Sequence, residues 1–328
     1  MAFVESLKQR AKQDPKIIVL PECGQDRDGV MKEAADRATA DGTARVVRLT
    51  EQSIKDSGKM DELAEAYAAM RGRDKAIGLR ALANPIAFGV MMVRAGYAHG
   101  MVAGRYAKSG DVMKFANAII GEEEGRISSG LFFREPPEGY PVFELIACGD
   151  MVVHENPNAE ELYKIIVTSA ETFRDLAGRD PRIAVLSYVT GEPSSMHLQK
   201  DPEMPKIKGA LEMYKSGGHP WPIYLAQGDA ALRPGVAVIK GAPFTDRPAD
   251  LLIGSSLNLS NPVYKLLQEL IVGGRSMFVT QGLRLPVMDL SRGDTAANIE
   301  AVIAACSVRA QMFEKQGRYG TVSDHFVK

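Results

Sequence analysis

Short, continuous apolar runs recur along this chain and alternate with segments of helical periodicity. Lys16–Glu22, Ala44–Leu49, Gly100–Gly104 and Arg182–Tyr188 are such runs. A run without polar alternation is typical of a strand that is covered on both faces. Helical segments, such as the one predicted over 159–177, lie between them, and this alternation predicts an α/β fold with mainly parallel sheets.

Length and composition define the class of protein. A chain of 328 residues favours two domains. The 45% apolar and 25% charged fractions are those of a soluble globular protein, and a net charge of −1 gives no reason to expect nucleic acid or an acidic membrane surface as a partner. No run of 18 apolar residues is present, so we expect a cytoplasmic protein without a membrane span.

Several common catalytic motifs are missing from the sequence. A dinucleotide-binding GxGxxG, a P-loop and a GxSxG elbow are all absent. The five histidines are isolated, so no metal site is predicted. Cys23, Cys148 and Cys306 lack paired spacing. Cys23 follows a strand and could be a nucleophile, but a small buried residue is favoured because no His or Asp near it in sequence would lower its pKa.

The stretch Pro286–Asp294 carries the strongest chemical signal. A strand at Arg275–Thr280 leads into this loop, and helical spacing begins after it, with Asp294 or Thr295 as the N-cap. Ser291, Arg292 and Gly293 therefore precede a helix N-terminus, where free N–H groups favour an anion. Arg292 could hold phosphate through two hydrogen bonds and Gly293 would let the backbone approach. An ordinary loop followed by a capped helix is an equally good interpretation.

Motifs along nearly the whole chain resemble those of phosphate acetyltransferases (phosphotransacetylases) and phosphate butyryltransferases. They stand at 1–12, 18–22, 85–93, 100–104, 158–162, 185–188, 229–232, 264–265, 280–283 and 286–293. The last of them, Pro-Val-Met-Asp-Leu-Ser-Arg-Gly, is the most diagnostic. The chain is therefore similar to this family, as a divergent member.

The resemblance implies two α/β domains with a cleft between them, in a shape related to isocitrate dehydrogenase. Residues 1–147 and 286–328 are expected to form domain I from both chain ends, and 148–285 domain II. The implied reaction converts acyl phosphate and coenzyme A into acyl-CoA and phosphate. Coenzyme A is then a substrate, no cofactor is covalently bound, and the usual assembly is a homodimer.

The resemblance also implies roles for individual residues. Ser291 matches a serine that hydrogen-bonds the reacting carbonyl or thiol, and Arg292 is suited to phosphate. Arg71 matches, less closely, an arginine at the phosphate end of the cleft. Ser187, Tyr188 and Thr190 lie in a loop that matches a family loop near the substrate. For Arg71, Ser187, Tyr188 and Thr190, a surface or sheet-end polar role is as good an interpretation.

Departures from the family pattern cluster at the expected cleft. The aspartate taken as general base, seven residues after the motif serine, is Asn298 here, and an amide cannot take a proton. Lys114 replaces an arginine and loses its two-pronged hydrogen bonding. Ala107-Lys-Ser109-Gly replaces a His-Ser/Thr run. Asp111 and Asp294 are the carboxylates that could act as base instead.

Three functions remain open on the sequence. The first is acyl transfer between phosphate and a thiol, slow or altered because of Asn298. The second is a non-catalytic or repurposed relative that binds a CoA-like or phosphorylated ligand, or a subunit of a larger complex. The third, a decarboxylating dehydrogenase, lacks the cluster of acidic metal ligands that it needs.

Overall fold

A computed structural model describes residues 2–243 and 246–327 of the chain. Its amino-terminal segment alternates helices and strands as the apolar runs predicted. In chain order the elements are α1 (Phe3–Gln13), β1 (Lys16–Leu20), a 3-10 turn (Cys23–Gln25), α2 (Val30–Ala40), β2 (Ala44–Arg48), α3 (Glu51–Asp56), α4 (Met60–Met70), α5 (Lys75–Leu82), α6 (Pro85–Arg94), β3 (Gly100–Ala103) and α7 (Ser109–Ile119).

The middle of the chain repeats the alternation. Its elements are β4 (Ser129–Glu135), β5 (Ile146–Gly149), α8 (Ala159–Ala177), β6 (Ile183–Leu186), α9 (Ser195–Lys200), α10 (Glu203–Ser216), β7 (Ile223–Ala226), α11 (Gly228–Leu232), α12 (Pro234–Ile239), β8 (Leu251–Ile253) and α13 (Leu257–Leu270). The chain then continues through β9 (Arg275–Gln281), β10 (Val287–Asp289) and α14 (Ala296–Lys315).

Two sheets confirm the predicted α/β class with mainly parallel pairing. The first has the strand order β10-β3-β1-β2, and its pairs are parallel. The second has the order β7-β6-β8-β5-β4-β9, in which β5, β8, β6 and β7 pair in parallel while β4 is antiparallel to β5. Both sheets therefore present several strand carboxyl ends along one edge, where loops carry function in such folds.

The chain divides into two compact units. One contains the described residues through Glu123 and those from Met277 onward, and the other contains 124–276. The boundaries predicted from the sequence, 147/148 and 285/286, differ from these. Strands β4 and β5 pair in the second sheet, which draws 124–147 into the second unit, whereas 277–285 belongs to the first.

Helix α14 differs from the one-faced helix that the sequence predicted. Every residue from 299 to 311 is buried, because the helix packs on α1, α2, β1 and β3. Its polar side chains find partners inside the protein. Glu300 pairs with Lys8, Ser307 Oγ accepts the Lys16 N–H at 3.2 Å, and Gln311 donates to three carbonyl oxygens at 2.9–3.2 Å. The first unit is thus built around a central, nearly all-buried helix.

Other differences from the expected elements are local. Helix α13 begins at Leu257 rather than at 260 and carries Pro262 inside it. Helices α3, α9, α11 and α12 were not predicted, and Val287–Asp289, expected as loop, is a strand. Helix α8 has the predicted bounds, because Asn158 and Glu161 form a capping box at its start and Gly178 ends it.

Among the described helices, none is by itself long and apolar enough to cross a membrane. The pair α5 and α6, which is bent by 113°, meets that requirement when the two are taken together, by length and composition only.

Candidate active site

The candidate site lies in the first unit, at the carboxyl ends of β1, β3 and β10. Strand β1 is flanked by β2 on one side and β3 on the other, so the strand order reverses between β1 and β3. In open α/β sheets, ligands bind in the crevice outside the carboxyl ends at such a reversal. The loops after these three strands begin at 21, 104 and 290, and they carry most of the residues considered below.

Glu22, in the loop after β1, holds the loop that follows β3. Its Oε2 accepts the N–H groups of Gly104 at 2.7 Å and Arg105 at 2.9 Å. Its Oε1 accepts those of Tyr106 at 3.0 Å and Ala107 at 2.6 Å. The side chain is 1% exposed. One buried carboxylate therefore accepts hydrogen bonds from four consecutive backbone N–H groups. Such a set of donors is otherwise typical of a site that binds an anionic ligand.

Asp289, the last residue of β10, is a second buried carboxyl group at this edge. Burial raises the pKa of Asp289 to about 7, and the nearby Glu22 and Asp294 carboxylates add to the rise, while a hydrogen bond from Ser109 opposes it. Its Oδ1 is buried without a hydrogen-bond partner in the described part of the chain. A Cβ at residue 104 would lie 2.3 Å from this oxygen, so only Gly104 fits against it. Asp289 can therefore hold a proton near neutral pH.

The turn after β10 brings three polar residues together. The Ser291 N–H donates to Asp294 Oδ2 at 2.7 Å, and Asn298 Nδ2 donates to Asp294 Oδ1 at 3.4 Å. Thr295 is the N-cap of α14, since its Oγ1 accepts the Asn298 N–H at 3.3 Å. Arg292 is exposed and forms no ion pair with any residue that the structure describes. Its guanidinium is thus available to an anionic ligand.

The remaining predicted residues of this unit occupy different positions. Ser109 is the first residue of α7, and its side chain lies near Asp289 and lowers the pKa of that carboxyl group. Gly293 is exposed, and a Cβ there would meet nothing within 4 Å, so the turn does not itself require a glycine. Arg71, at the end of α4, and Lys114, on α7, are both exposed. The described contacts do not tie Arg71 or Lys114 to the Ser291 turn.

Three predicted residues belong to the second unit and follow β6. Ser187 Oγ accepts the Val189 N–H at 3.1 Å, and Thr190 Oγ1 accepts the Gln227 N–H at 3.1 Å. Tyr188 is 57% exposed. The Ser187 and Thr190 oxygens therefore organise the loops after β6 and β7, whereas the largely exposed Tyr188 ring contacts the His197 ring edge-on at a centroid distance of 5.9 Å.

Cys23 fits the structural interpretation better than the nucleophilic one. It begins the 3-10 turn after β1, and burial raises the pKa of its thiol to about 12. A thiol with such a pKa has almost no thiolate at neutral pH, and the thiolate is the reactive form.

Sequence reasoning gave no role to Glu22, Gly104 or Asp289. Each stands within a motif that was noticed, but as part of a pattern rather than as a group with chemistry. The signal that could have identified Glu22 and Asp289 is the position of a carboxylate at the end of a covered strand, because a buried acid is rarely left without a partner. Gly104 has φ +107°, a conformation that favours glycine.

Comparisons with known proteins agree with one another. Residues 2–306 match the family model described as phosphate acetyl/butaryl transferase. The chain is 34% identical to a phosphate acetyltransferase of Thermoanaerobacterium thermosaccharolyticum, covering 95% of this chain and 100% of that protein. It is 32% identical to a phosphate acetyltransferase of Acetivibrio thermocellus, covering 95% and 99%.

Solved structures lead to the same group of proteins. A phosphotransacetylase from Streptococcus pyogenes superimposes with a TM-score of 0.81 at 26% identity, covering 94% of this chain and 98% of that one. A phosphotransacetylase from Staphylococcus aureus gives a TM-score of 0.76 at 27% identity, with the same coverage. With its parallel sheets, its strand-end site and these matches, the chain belongs to the phosphate acetyl/butaryl transferase family.

Proposed function

We propose that this protein is an acyltransferase that moves an acetyl or other short acyl group between phosphate and coenzyme A. The observation that carries the proposal is the turn before α14. There an exposed, unpaired guanidinium, Arg292, adjoins a half-buried hydroxyl, Ser291, in the described part of the first unit. A phosphorylated substrate needs the first group, and a reacting carbonyl or thiol needs a donor such as the second. Coenzyme A is a substrate in this proposal, and no bound cofactor takes part.

The bond changes assign a role to each residue. The thiol sulfur of coenzyme A attacks the acyl carbon, a C–S bond forms, and the C–O bond to phosphate breaks. Ser291 donates to the carbonyl oxygen as charge develops on it, and Arg292 neutralises the departing phosphate. Gly293 leaves its backbone accessible to the phosphate oxygens. The thiol proton leaves to water or to the departing phosphate, because Asn298 cannot accept it.

Further contacts to the substrates come from the less central residues. Arg71 and Lys114 supply positive charge to the phosphates from exposed positions, and Ser109 contributes a hydroxyl at the start of α7. In the second unit, Ser187, Tyr188 and Thr190 form the substrate loop after β6. Support for assigning Arg71, Ser109 and the loop after β6 comes from their place at strand or helix ends, where ligand contacts concentrate in α/β folds, whereas Lys114 lies within α7.

The reaction is expected to be slow at neutral pH. A thiol with a pKa of about 8.5 is roughly 3% ionised at pH 7, so attack proceeds without a base. The absence of a positioned base typically lowers the rate by about 10² to 10⁴. Asn298 instead donates to Asp294, which also accepts the Ser291 N–H. We therefore assign Asn298 to the shape of the turn rather than to proton transfer.

The direct test is thioester formation from acetyl phosphate and coenzyme A by the purified protein. Arg292→Ala should raise the KM for acetyl phosphate at least tenfold, and Ser291→Ala should lower kcat with little change in KM. Arg80→Ala, which removes an exposed arginine from α5, is the matched control and should behave as the parent. Equal effects of the two arginine substitutions would remove the phosphate role of Arg292.

The alternative is a repurposed member that binds these ligands without turning them over, or a subunit of a larger complex. Asn298 in place of the family aspartate is the observation that favours it. Isothermal titration with coenzyme A separates the two. Binding without thioester formation at any pH from 6 to 9 supports the alternative, while slow turnover that increases with pH supports the transferase.

We also propose a homodimer that works in the cytoplasm. An apolar surface on the second unit supports the dimer, since Leu266 and Leu270 are one turn apart on α13 and are 56% and 75% exposed, and Val272 is 85% exposed. Light scattering of the parent should give the mass of two chains, and Leu270→Asp should give the mass of one. A monomeric parent at micromolar concentration would refute the dimer.

A further inference from the structure

Glu22 lies outside the chemistry assigned above, yet its carboxylate binds an entire loop at the edge of the site. It precedes the loop of residues 104–107 by 82 to 85 positions and accepts all four of that loop's N–H groups. Four consecutive donors that converge on two oxygens form a nest, the arrangement by which backbone holds phosphate or sulfate. Here the protein fills the nest with its own carboxylate.

The loop in this nest connects directly to the candidate site. At its start, Gly104 adopts φ +107° and lies against Asp289 Oδ1. At its end, the chain enters α7 at Ser109, whose side chain lies near the Asp289 carboxyl group and lowers its pKa. A contact that holds residues 104–107 in place therefore also holds Ser109 near the end of β10. The turn that contains Ser291 begins one residue after that strand.

Geometry also excludes the nest as a substrate site in the native protein. Glu22 is 1% exposed, and its two oxygens already accept the four donors at 2.6–3.0 Å. A phosphate group cannot share those donors without displacing the side chain. Any anionic substrate at this edge of the sheet must then use other groups, of which Arg292 is the exposed cation in the neighbouring turn.

We propose that Glu22 is a positioning residue of the active site, an internal anion that occupies the 104–107 nest and so holds Ser109 and the start of α7 in place. Glu22 touches no substrate in this role. The part of the proposal that concerns turnover rests on the proposed acyl transfer, while the part that concerns the nest is independent of it.

Chemical rescue tests the nest directly. Glu22→Ala removes a CH₂ group and a carboxylate, which acetate replaces in size and charge. We expect amide hydrogen exchange at residues 104–107 to become at least tenfold faster in this variant, and millimolar acetate to restore its protection in a saturable way. Acetamide has the same size without the charge and should restore nothing, and sodium chloride at equal ionic strength should do likewise. The parent should respond to none of the three.

A second substitution keeps the shape of the side chain. Glu22→Gln retains one acceptor oxygen and turns an NH₂ group toward two of the donors. Protection should then fall at one adjacent pair, 104–105 or 106–107, and remain at the other. If Glu22→Ala does not fold, this pattern decides alone. Unchanged protection across all four amides in either variant overturns the proposal, as does equal rescue by acetate and acetamide.

Turnover supplies the last readout. If acyl transfer is measurable, Glu22→Ala should lower kcat at least tenfold with a KM within threefold of the parent, and acetate should recover kcat. Failure of acyl transfer in the parent would refute the proposed function but leave the exchange result intact. Rescue of protection without recovery of kcat would show that the nest exists and that it does not position the catalytic groups, which overturns the positioning role.

Discussion

Replacing Asp289 by Asn tests the electrostatics of the site most directly. This carboxyl group is 3% exposed, and burial raises its pKa from 3.8 to about 7. An acid with a raised folded-state pKa keeps its proton in the folded protein when the unfolded chain has already lost it. Between pH 3.8 and about 7, unfolding therefore releases a proton, and the free energy of unfolding falls as the pH rises. Above pH 7 the contribution is constant.

The magnitude follows from the size of the rise. Each pH unit within that window lowers the free energy of unfolding by about 1.4 kcal/mol, for a total of about 4 kcal/mol. An asparagine side chain does not titrate, so the Asp289→Asn protein lacks this loss. Between pH 5 and pH 8, we expect the free energy of unfolding of Asp289→Asn to rise by about 3 kcal/mol relative to that of the parent. This change should be complete near pH 7.5.

Urea unfolding at half-unit pH steps measures the difference. Amide exchange of peptides from β10 and α7 reports separately on the first unit, which contains the substitution. Asp111→Asn, at an exposed position on α7, makes the same chemical substitution and should leave the pH dependence as in the parent. A difference between Asp289→Asn and parent that changes by less than about 1 kcal/mol from pH 5 to 8 would show that the carboxyl group is not held neutral.

Three other substitutions probe separate features. Asn298→Asp restores the family acid but places a second carboxylate beside Asp294, 3.4 Å from the present amide. Repulsion should raise one of the two pKa values, so any gain in kcat, up to about 10²-fold, should appear only on the alkaline side of the pH profile. Gly78→Ala would bring a methyl group within 2.1 Å of the Ala64 carbonyl oxygen, and we expect a loss of about 2 kcal/mol or more in urea unfolding as α4 and α5 separate. Asn158→Ala removes the capping box of α8 and should cost about 1 kcal/mol by the same measurement, while an unchanged midpoint would contradict the cap.

Local signals predicted the elements whose determinants lie close together in sequence. Helix α8 was predicted to the residue because Asn158 and Gly178 mark its two ends. Helix α14 begins after Thr295, one of the two expected N-caps. Strand β10 was missed because it has three residues, and its pairing with β3 rather than its composition makes it a strand.

The features that the sequence did not predict depend on contacts between residues that lie far apart in the chain. Glu22 acts through a loop more than 80 positions away, and no spacing rule relates the two. Helix α13 starts before Pro262 because Ser260 and Asn261 bond the carbonyl oxygens of Asp150 and Met151, which anchors a turn that propensity disfavours. The family resemblance identified Ser291 and Arg292, but only the structure shows that the Asp294 carboxylate accepts hydrogen bonds from both Ser291 and Asn298.

Carboxyl groups crowd the edge where an anion is expected to bind, and this has a consequence for substrate affinity. Glu22 and Asp294 both raise the pKa of Asp289, so their charges act on it across the site. A bound anion beside Arg292 adds negative charge in the same region and must raise that pKa further. Anion binding beside Arg292 and protonation of Asp289 are then linked. The bound anion favours protonation, and protonation increases the affinity for the anion by the same factor.

Sulfate tests this linkage without titrating, because it stays divalent from pH 6 to 8, unlike phosphate. We expect sulfate to bind at least about fivefold more tightly at pH 6 than at pH 8, and calorimetry in buffers of different ionisation enthalpy to show proton uptake. In Asp289→Asn the affinity should be independent of pH, and Arg292→Ala should abolish it. A pH dependence that persists in Asp289→Asn would place the titrating group elsewhere, and the assignment of Asp289 as the proton holder would fail.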